Sequence, residues 1–134
     1  MKQLRLCIGS NNNIDIASSH MGDTEFFHIF NLFQNLEYEF VEKRANTARD
    51  MGHAKAEKMK EIIKIIEDAD IFVAKEKSPN FMRIANKTKY QPVVVKAQKI
   101  TKILELLGKS FEDIYTLVEK RKAGESFPTI PELA

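Results

Sequence analysis

The chain has a single cysteine, no tryptophan, five glycines and four prolines in 134 residues. With Cys7 alone, no internal disulfide and no cysteine-only metal site can form, and this usage fits a reducing, cytoplasmic compartment. Long apolar runs are also missing. Stretches such as Val93-Val94-Val95 are far short of the ~20 residues a membrane-spanning helix needs, so a soluble protein is expected. Met1-Lys2-Gln3-Leu4-Arg5-Leu6 passes directly into strand-like alternation, and no secretory leader is expected. The spacings of established metal and nucleotide motifs are absent: there is no CxxC, HExxH, EF-hand loop, Walker A loop or GxGxxG. What the chain does have is 43% hydrophobic and 30% charged residues, enough for the core of one domain and too apolar for bulk disorder.

Acidic residues are scarce in one window. From Lys75 to Lys102 eight basic residues face one acid, Glu76, so this segment is +7 in a chain of net charge +2. The remainder is −5. Clustered positive charge raises the local concentration of anions. The residues alone leave two readings open, a solvated lysine face or an anion site.

Periodicity predicts strands over 4–9, 26–33 and 37–43, the last two forming a hairpin around Gln34-Asn35. Between the first strand and the hairpin lies a long polar stretch, Ser10 to Thr24, without a clear period, and such connections are often functional. Met59, Ile62, Ile63 and Ile66 mark one face of a helix over 54–67. Ile71 to Ala74 reads as a buried strand, and Ser78-Pro79 opens a short helix reaching about residue 86. A strand over 92–95 is followed by a helix with Ile100, Ile103, Leu104 and Leu107 inward, ended by Gly108 as its C′ residue. Ser110 is expected to cap a last helix, and Pro128 and Pro131 to keep the remainder an extended tail.

This order, β-β-β-α-β-α-β-α-α, predicts an α/β fold of three layers, α/β/α, around a mixed five-stranded sheet. Ligands of such sheets bind at the carboxyl ends of the parallel strands, here Ser10–Asn13, Lys75–Asn80 and Lys96–Gln98.

Several residues near those ends suit metal or anion chemistry. Ser18-Ser19-His20-Met21-Gly22 places nitrogen and sulfur donors in one loop, a pairing for a soft or borderline metal. Met51-Gly52-His53 repeats the trio in a different order ahead of the first long helix. Cys7 lies mid-strand, where a small hydrophobe is the expected role, with a thiolate ligand as the alternative. His28, among phenylalanines, reads as a structural strand residue. Lys75, Lys77 and Arg83 flank a helix start at Ser78 and Asn80 whose N–H groups favour anions. Paired carboxylates for a two-metal site are lacking, because Asp70 precedes its strand and belongs to the opposite edge.

The first strand, its polar loop, Ser19-His20-Met21-Gly22 and Phe26-Phe27-His28-Ile29-Phe30 resemble the dinitrogenase iron-molybdenum cofactor biosynthesis family of NifX-like domains. Asp68-Ala69-Asp70, Pro79-Asn80 and Gln91-Pro92-Val93 extend the resemblance over about residues 3–107. It implies a ribonuclease-H-like fold without nuclease activity, in which residues 1–107 bind the cofactor and the helix and tail of 108–134 pack on the same domain. The family's motif histidine and glycine fall on His20 and Gly22, while Met21 stands where phenylalanine is usual and Lys77-Ser78 where many members have glycine.

The resulting expectation is a cytoplasmic, non-enzymatic carrier of an iron-sulfur or iron-molybdenum type cluster, monomeric or homodimeric and with cofactor-assembly proteins as partners. His20, Met21, His53 and Cys7 are the metal ligands to be considered. Ser10, Asn12, Ser19, Gly22, Lys75, Lys77, Ser78, Asn80 and Arg83 would hold the cofactor. One rival is an anion, nucleotide or nucleic-acid module using the same lysines, with Phe81 and Tyr90 as the few aromatics for base stacking. Another is an interaction module that docks Phe127 and Ile130 of the tail on a partner.

Overall fold

The computed structural model describes residues 2–17, 23–49, 51 and 55–134, apart from the side chains of residues 55, 56 and 80. Alternation in β1 (Gln3–Ser10) sends Leu4, Leu6 and Ile8 to one face and Cys7 to the other, and all four are fully buried. A strand covered on both faces must lie inside the sheet, and β1 does. It pairs antiparallel with β2 (Phe26–Phe33), which pairs antiparallel with β3 (Tyr38–Ala45). On its other side β1 runs parallel to β4 (Ile71–Ala74), and β4 parallel to β5 (Gln91–Val95).

Helices cover both faces. α1 (Lys55–Ile65), with Ile66 just after it, and α2 (Pro79–Lys87) bury Ile62, Ile66, Phe81 and Ile84 against Cys7, Ile29 and Phe72. α3 (Ile100–Lys109) and α4 (Phe111–Lys122) bury Ile103, Leu107, Phe111 and Ile114 against Leu6, Leu32 and Val93. Among the described residues, no helix is long and apolar enough to cross a membrane.

Three expectations are corrected. The sheet has six strands, not five: the tail contributes β6 (Glu132–Leu133), parallel to β5, giving the order β3-β2-β1-β4-β5-β6. Pro131 lacks an N–H, yet its carbonyl accepts from the Val94 N–H at 2.9 Å, so the extended backbone that proline enforces is what an edge strand uses. Gly108 does not end its helix. It lies buried inside α3, where a Cβ would stand 3.3 Å from Leu36 Cδ2, so its lack of a side chain serves packing against the hairpin turn. Ser110 precedes α4, but its side chain makes no capping hydrogen bond.

Two arginines tie the layers together. Arg121 of α4 is buried and donates to Gln91 Oε1 (2.7 Å) and to the carbonyls of Ala85 (2.7 Å), Thr88 (3.3 Å) and Phe127 (3.0 Å). The Phe127 ring lies 4.0 Å from its guanidinium carbon, and Ile130 packs on the α1/α2 core cluster. Both residues expected to dock on a partner are therefore engaged by the chain itself. Arg44 of β3 donates to the Ile65 carbonyl at the end of α1 (2.9 Å) and to both Asp68 oxygens (2.6 and 3.0 Å), while Arg5 adds a bond of 2.7 Å. The Arg44 bonds, with help from Arg5 and against partial burial, hold the Asp68 carboxyl well below the usual carboxylate range.

Arg121→Met, which keeps the stem but leaves these buried acceptors without a donor, is expected to lower stability by about 2–4 kcal/mol in urea unfolding. A loss below 0.5 kcal/mol would show the network to be dispensable. Because the folded-state pKa of Asp68 is depressed, its contribution is present above the unfolded value of roughly 4 and is lost as pH falls below it. Asp68→Asn should thus be less stable than wild type at pH 7, with the gap closing in urea titrations stepped down from pH 5 to 2. A gap constant over that range contradicts the assignment.

Candidate functional site

Because β1, β4 and β5 run parallel, their carboxyl ends share one edge of the sheet. The chain leaving β1 is folded by its own side chains. The Ser10 hydroxyl donates to the Asp15 carbonyl (2.6 Å) and accepts from the Asn12 and Asn13 N–H groups (3.3 and 3.2 Å). Asn12 Oδ1 accepts from the Ile14 and Asp15 N–H groups at 3.0 and 2.8 Å, and Asn13 adopts a positive φ of 69°, which asparagine tolerates. Backbone bonds from Ile16 N–H to the Gln98 carbonyl (2.9 Å) and from Ile100 N–H to the Ile14 carbonyl (2.9 Å) then stitch this loop to the end of β5. Ser10 and Asn12 thus build the loop that borders the edge.

Beside it stand the cations. Lys75 donates to Gln98 Oε1 at 2.7 Å, and Lys96 to the Lys75 carbonyl at 3.2 Å, so the two flank the ends of β4 and β5. Lys77 and Arg83 are exposed. Among the described residues, none of these four cations forms an ion pair. Ser78 is buried and caps α2 by accepting from the Phe81 N–H at 3.1 Å, with Pro79 in the first turn. Asn80 follows in that turn. Phe81 and Tyr90 are buried, Tyr90 stacked on Phe72 at 4.7 Å, so neither presents a ring for base stacking.

Ser19, His20, Met21, Gly22 and His53 lie outside the described residues. Their flanks are described. Ala17 bonds back to the Gly9 carbonyl at 3.0 Å, Asp23 forms an ion pair with Lys58 of α1, and α1 begins at Lys55. The chain entering β2 thus lies beside the end of β1, at Gly9, and is tied by Asp23 to α1. Gly9 permits this: a Cβ there would stand 2.7 Å from Thr24 Cγ2 and 2.9 Å from its Oγ1. Cys7 is elsewhere, wholly buried among Phe27, Ile29 and Phe72, where burial pushes its thiol pKa far up and the thiolate a metal needs is disfavoured. Asp70 sits at the opposite edge, its Oδ2 accepting from the Arg5 N–H at 2.9 Å.

A feature that sequence reasoning missed lies on the α3 side. A cavity of about 640 Å³ opens between β2, β3 and the first turn of α3, with His28 in its lining. His28 Nε2 is buried without a hydrogen-bond partner among the described residues. The signal available in sequence was the strand period, which puts His28 on the face of Phe30 and Leu32.

These features define an α/β domain with a mixed sheet and a cationic rim at the carboxyl ends of its parallel strands. The chain belongs to the dinitrogenase iron-molybdenum cofactor family, whose model matches residues 2–110. That family relates to iron-molybdenum cofactor biosynthesis. No curated protein matches the chain.

Gly9→Ala is expected to lower stability by about 1–3 kcal/mol, because Thr24 cannot yield without shifting the start of β2. Thr24→Ser in the same background, which removes Cγ2, should restore part of the loss. Equal melting temperatures for wild type and Gly9→Ala would disprove the tight contact.

Proposed function

We propose that this chain is a non-enzymatic, cytoplasmic carrier of an iron-sulfur or molybdenum-iron type cofactor, or of its precursor, held as cargo at the edge formed by β1, β4 and β5. The observation that supports this most is the set of cations at that edge, Lys75, Lys77, Lys96 and Arg83, without ion-pair partners among the described residues. Protein-bound clusters carry negative charge, and the positive end of the α2 dipole adds to the attraction. The role is carried by charge and by donors from two loops. Among the described residues no three His, Cys, Asp or Glu side chains gather into a metal-ligand group. The donors are therefore assigned to His20, Met21 and His53, with Ser19 and Gly22 shaping the loop and Ser78 and Asn80 closing the helix start. Cys7 is left to the core. The strand order β3-β2-β1-β4-β5 agrees with a ribonuclease-H-like domain over residues 1–107, with 108–134 as an addition packed on it.

Anaerobic reconstitution with iron and sulfide, read by metal analysis and visible absorbance, tests the proposal. Wild type should take up stoichiometric iron, His20→Ala should lose it at an unchanged melting temperature, and Lys77→Ala/Arg83→Ala should retain several-fold less. Unchanged uptake by His20→Ala removes that residue as a ligand. Absence of iron from wild type, reconstituted alone or after mixing with an isolated iron-molybdenum precursor, overturns the carrier reading.

A further inference from the structure

The cavity on the α3 face combines features that the cationic edge does not use. One wall is aromatic: the Phe30 ring lies 6.3 Å from Tyr38 and 5.5 Å from Phe40, and His28 lies 6.1 Å from Phe40. Ile14, Ile100 and Leu104 line the other side. Tyr38 and Phe40 remain about half exposed, at 48% and 55%, as does Ile14 at 61%. Apolar side chains left open around a concave space are unusual for a surface that meets only water.

Polar groups enter this apolar space at few points. His28 is 3% exposed, and its Nε2 has no partner among the described residues, a cost that a bound polar group would remove. Burial, and secondarily the charge of Lys43, lower its pKa, so the ring is neutral at pH 7 and offers a single N–H or lone pair. Lys43 is its cross-strand partner on β3, its ammonium 4.3 Å above the Phe26 ring. From the opposite side comes the start of the ten-residue α3, where Lys99 occupies the cap position without a side-chain cap bond and Thr101 lines the cavity. Two cations, a helix start without a side-chain cap and a neutral imidazole therefore surround an aromatic slot.

We propose that this cavity binds a small organic acid with a planar apolar body and one carboxylate. The body fits between the Phe30, Tyr38 and Phe40 rings and Leu104. The carboxylate meets the His28 N–H, with Lys43, Lys99 and the α3 start supplying positive potential. Its size agrees, because cavities of roughly 300–1,000 Å³ hold ligands of this class. The site borders the carrier edge across the Ser10–Ala17 loop but uses none of the cations assigned to it, and it stands whether or not that edge carries a cluster.

The probe is 2-naphthoate, titrated into the full-length chain by fluorescence and by calorimetry; the chain has no tryptophan to interfere. Wild type should bind it saturably at one site, at least tenfold more tightly than uncharged 2-naphthalenemethanol, with inorganic phosphate a poor competitor. His28→Leu should weaken binding at least tenfold, and Lys43→Gln/Lys99→Gln several-fold. Phe40→Ala, at an exposed position where folding is not at stake, should weaken it several-fold as well. If His28→Leu does not fold, the imidazole nitrogen resonances of wild-type His28 supply the second readout and should shift on saturation. Equal affinity for the acid and the alcohol overturns the proposal, as does binding that ignores both Phe40→Ala and the His28 resonances. So does a dimer, seen by sedimentation and abolished by Phe40→Glu, that buries the cavity against a second copy. Iron uptake by Phe40→Ala should equal that of wild type, so a failure of the carrier reading and a failure of this one are told apart.

Discussion

Burial of β1 on both faces from Leu6 onward governs the rest of this molecule. A strand with Leu4, Leu6 and Ile8 on one side and Cys7 on the other can be covered only by two separate helical layers. With both faces dry, its interior can carry no binding group that must meet water, and chemistry is displaced to its ends. The two ends are treated differently. At the amino end the Arg5 N–H bonds the Asp70 carboxylate and the Arg5 guanidinium bonds Asp68, and Arg44 completes with Asp68 an ion-pair network that fastens β3 to the end of α1. At the carboxyl end the side chains of Ser10 and Asn12 fold a loop, and neighbouring lysines are left without acids.

That asymmetry explains how a chain of net charge +2 acquires a cationic edge. Acids are not short in the chain as a whole, but they are committed elsewhere: Asp68 and Glu42 to Arg44, Glu25 to Arg49, Glu112 to Lys2 and Gln34, Glu105 to lysines of α3. Lys75 and Lys96 instead hydrogen-bond to neutral oxygens, which fixes their positions without cancelling their charge. Positioned, unneutralised cations create a field that an anion feels at low reorganisation cost.

Much of this was legible in the sequence, for identifiable reasons. The stripes at Ile62 and Ile66, at Ile103 and Leu107, and at Phe111 and Ile114 are buried because helical period dictates a face whatever the partner. The Ser78-Pro79 helix start forms as local chemistry requires. What escaped depends on contacts distant in sequence. Gly108 has the local signature of a helix end, yet Leu36, seventy-two positions earlier, decides that a small residue is needed inside the helix. The tail has the signature of an unpaired terminus, but β5 offered a free edge that its extended backbone could join. Strand period places His28 on a face and says nothing of whether a helix covers it there.

The last of these shows how one covering helix shapes the two regions at once. α3 packs over the inner strands with Ile103 and Leu107, and its start is drawn toward the end of β1 by the bond from Ile100 N–H to the Ile14 carbonyl. That bond uses the first helical N–H on the loop and fixes Ile14 beside the cavity, while the turn of α3 that follows lines the cavity with Thr101 and Leu104, across from Phe30. The loop from Ser10 to Ala17 is thus a shared wall, with the ends of β4 and β5 on one side and the aromatic slot on the other. Its geometry is set by backbone bonds to Gln98 and Gly9 and by the hydroxyl of Ser10, so the same hydrogen bonds that hold the cationic edge in shape also hold the cavity open. A change that loosens Ser10 would disturb both regions, whereas a change in Phe40 reaches only the cavity, because that ring stands on the outermost strand and contacts Phe30 and His28.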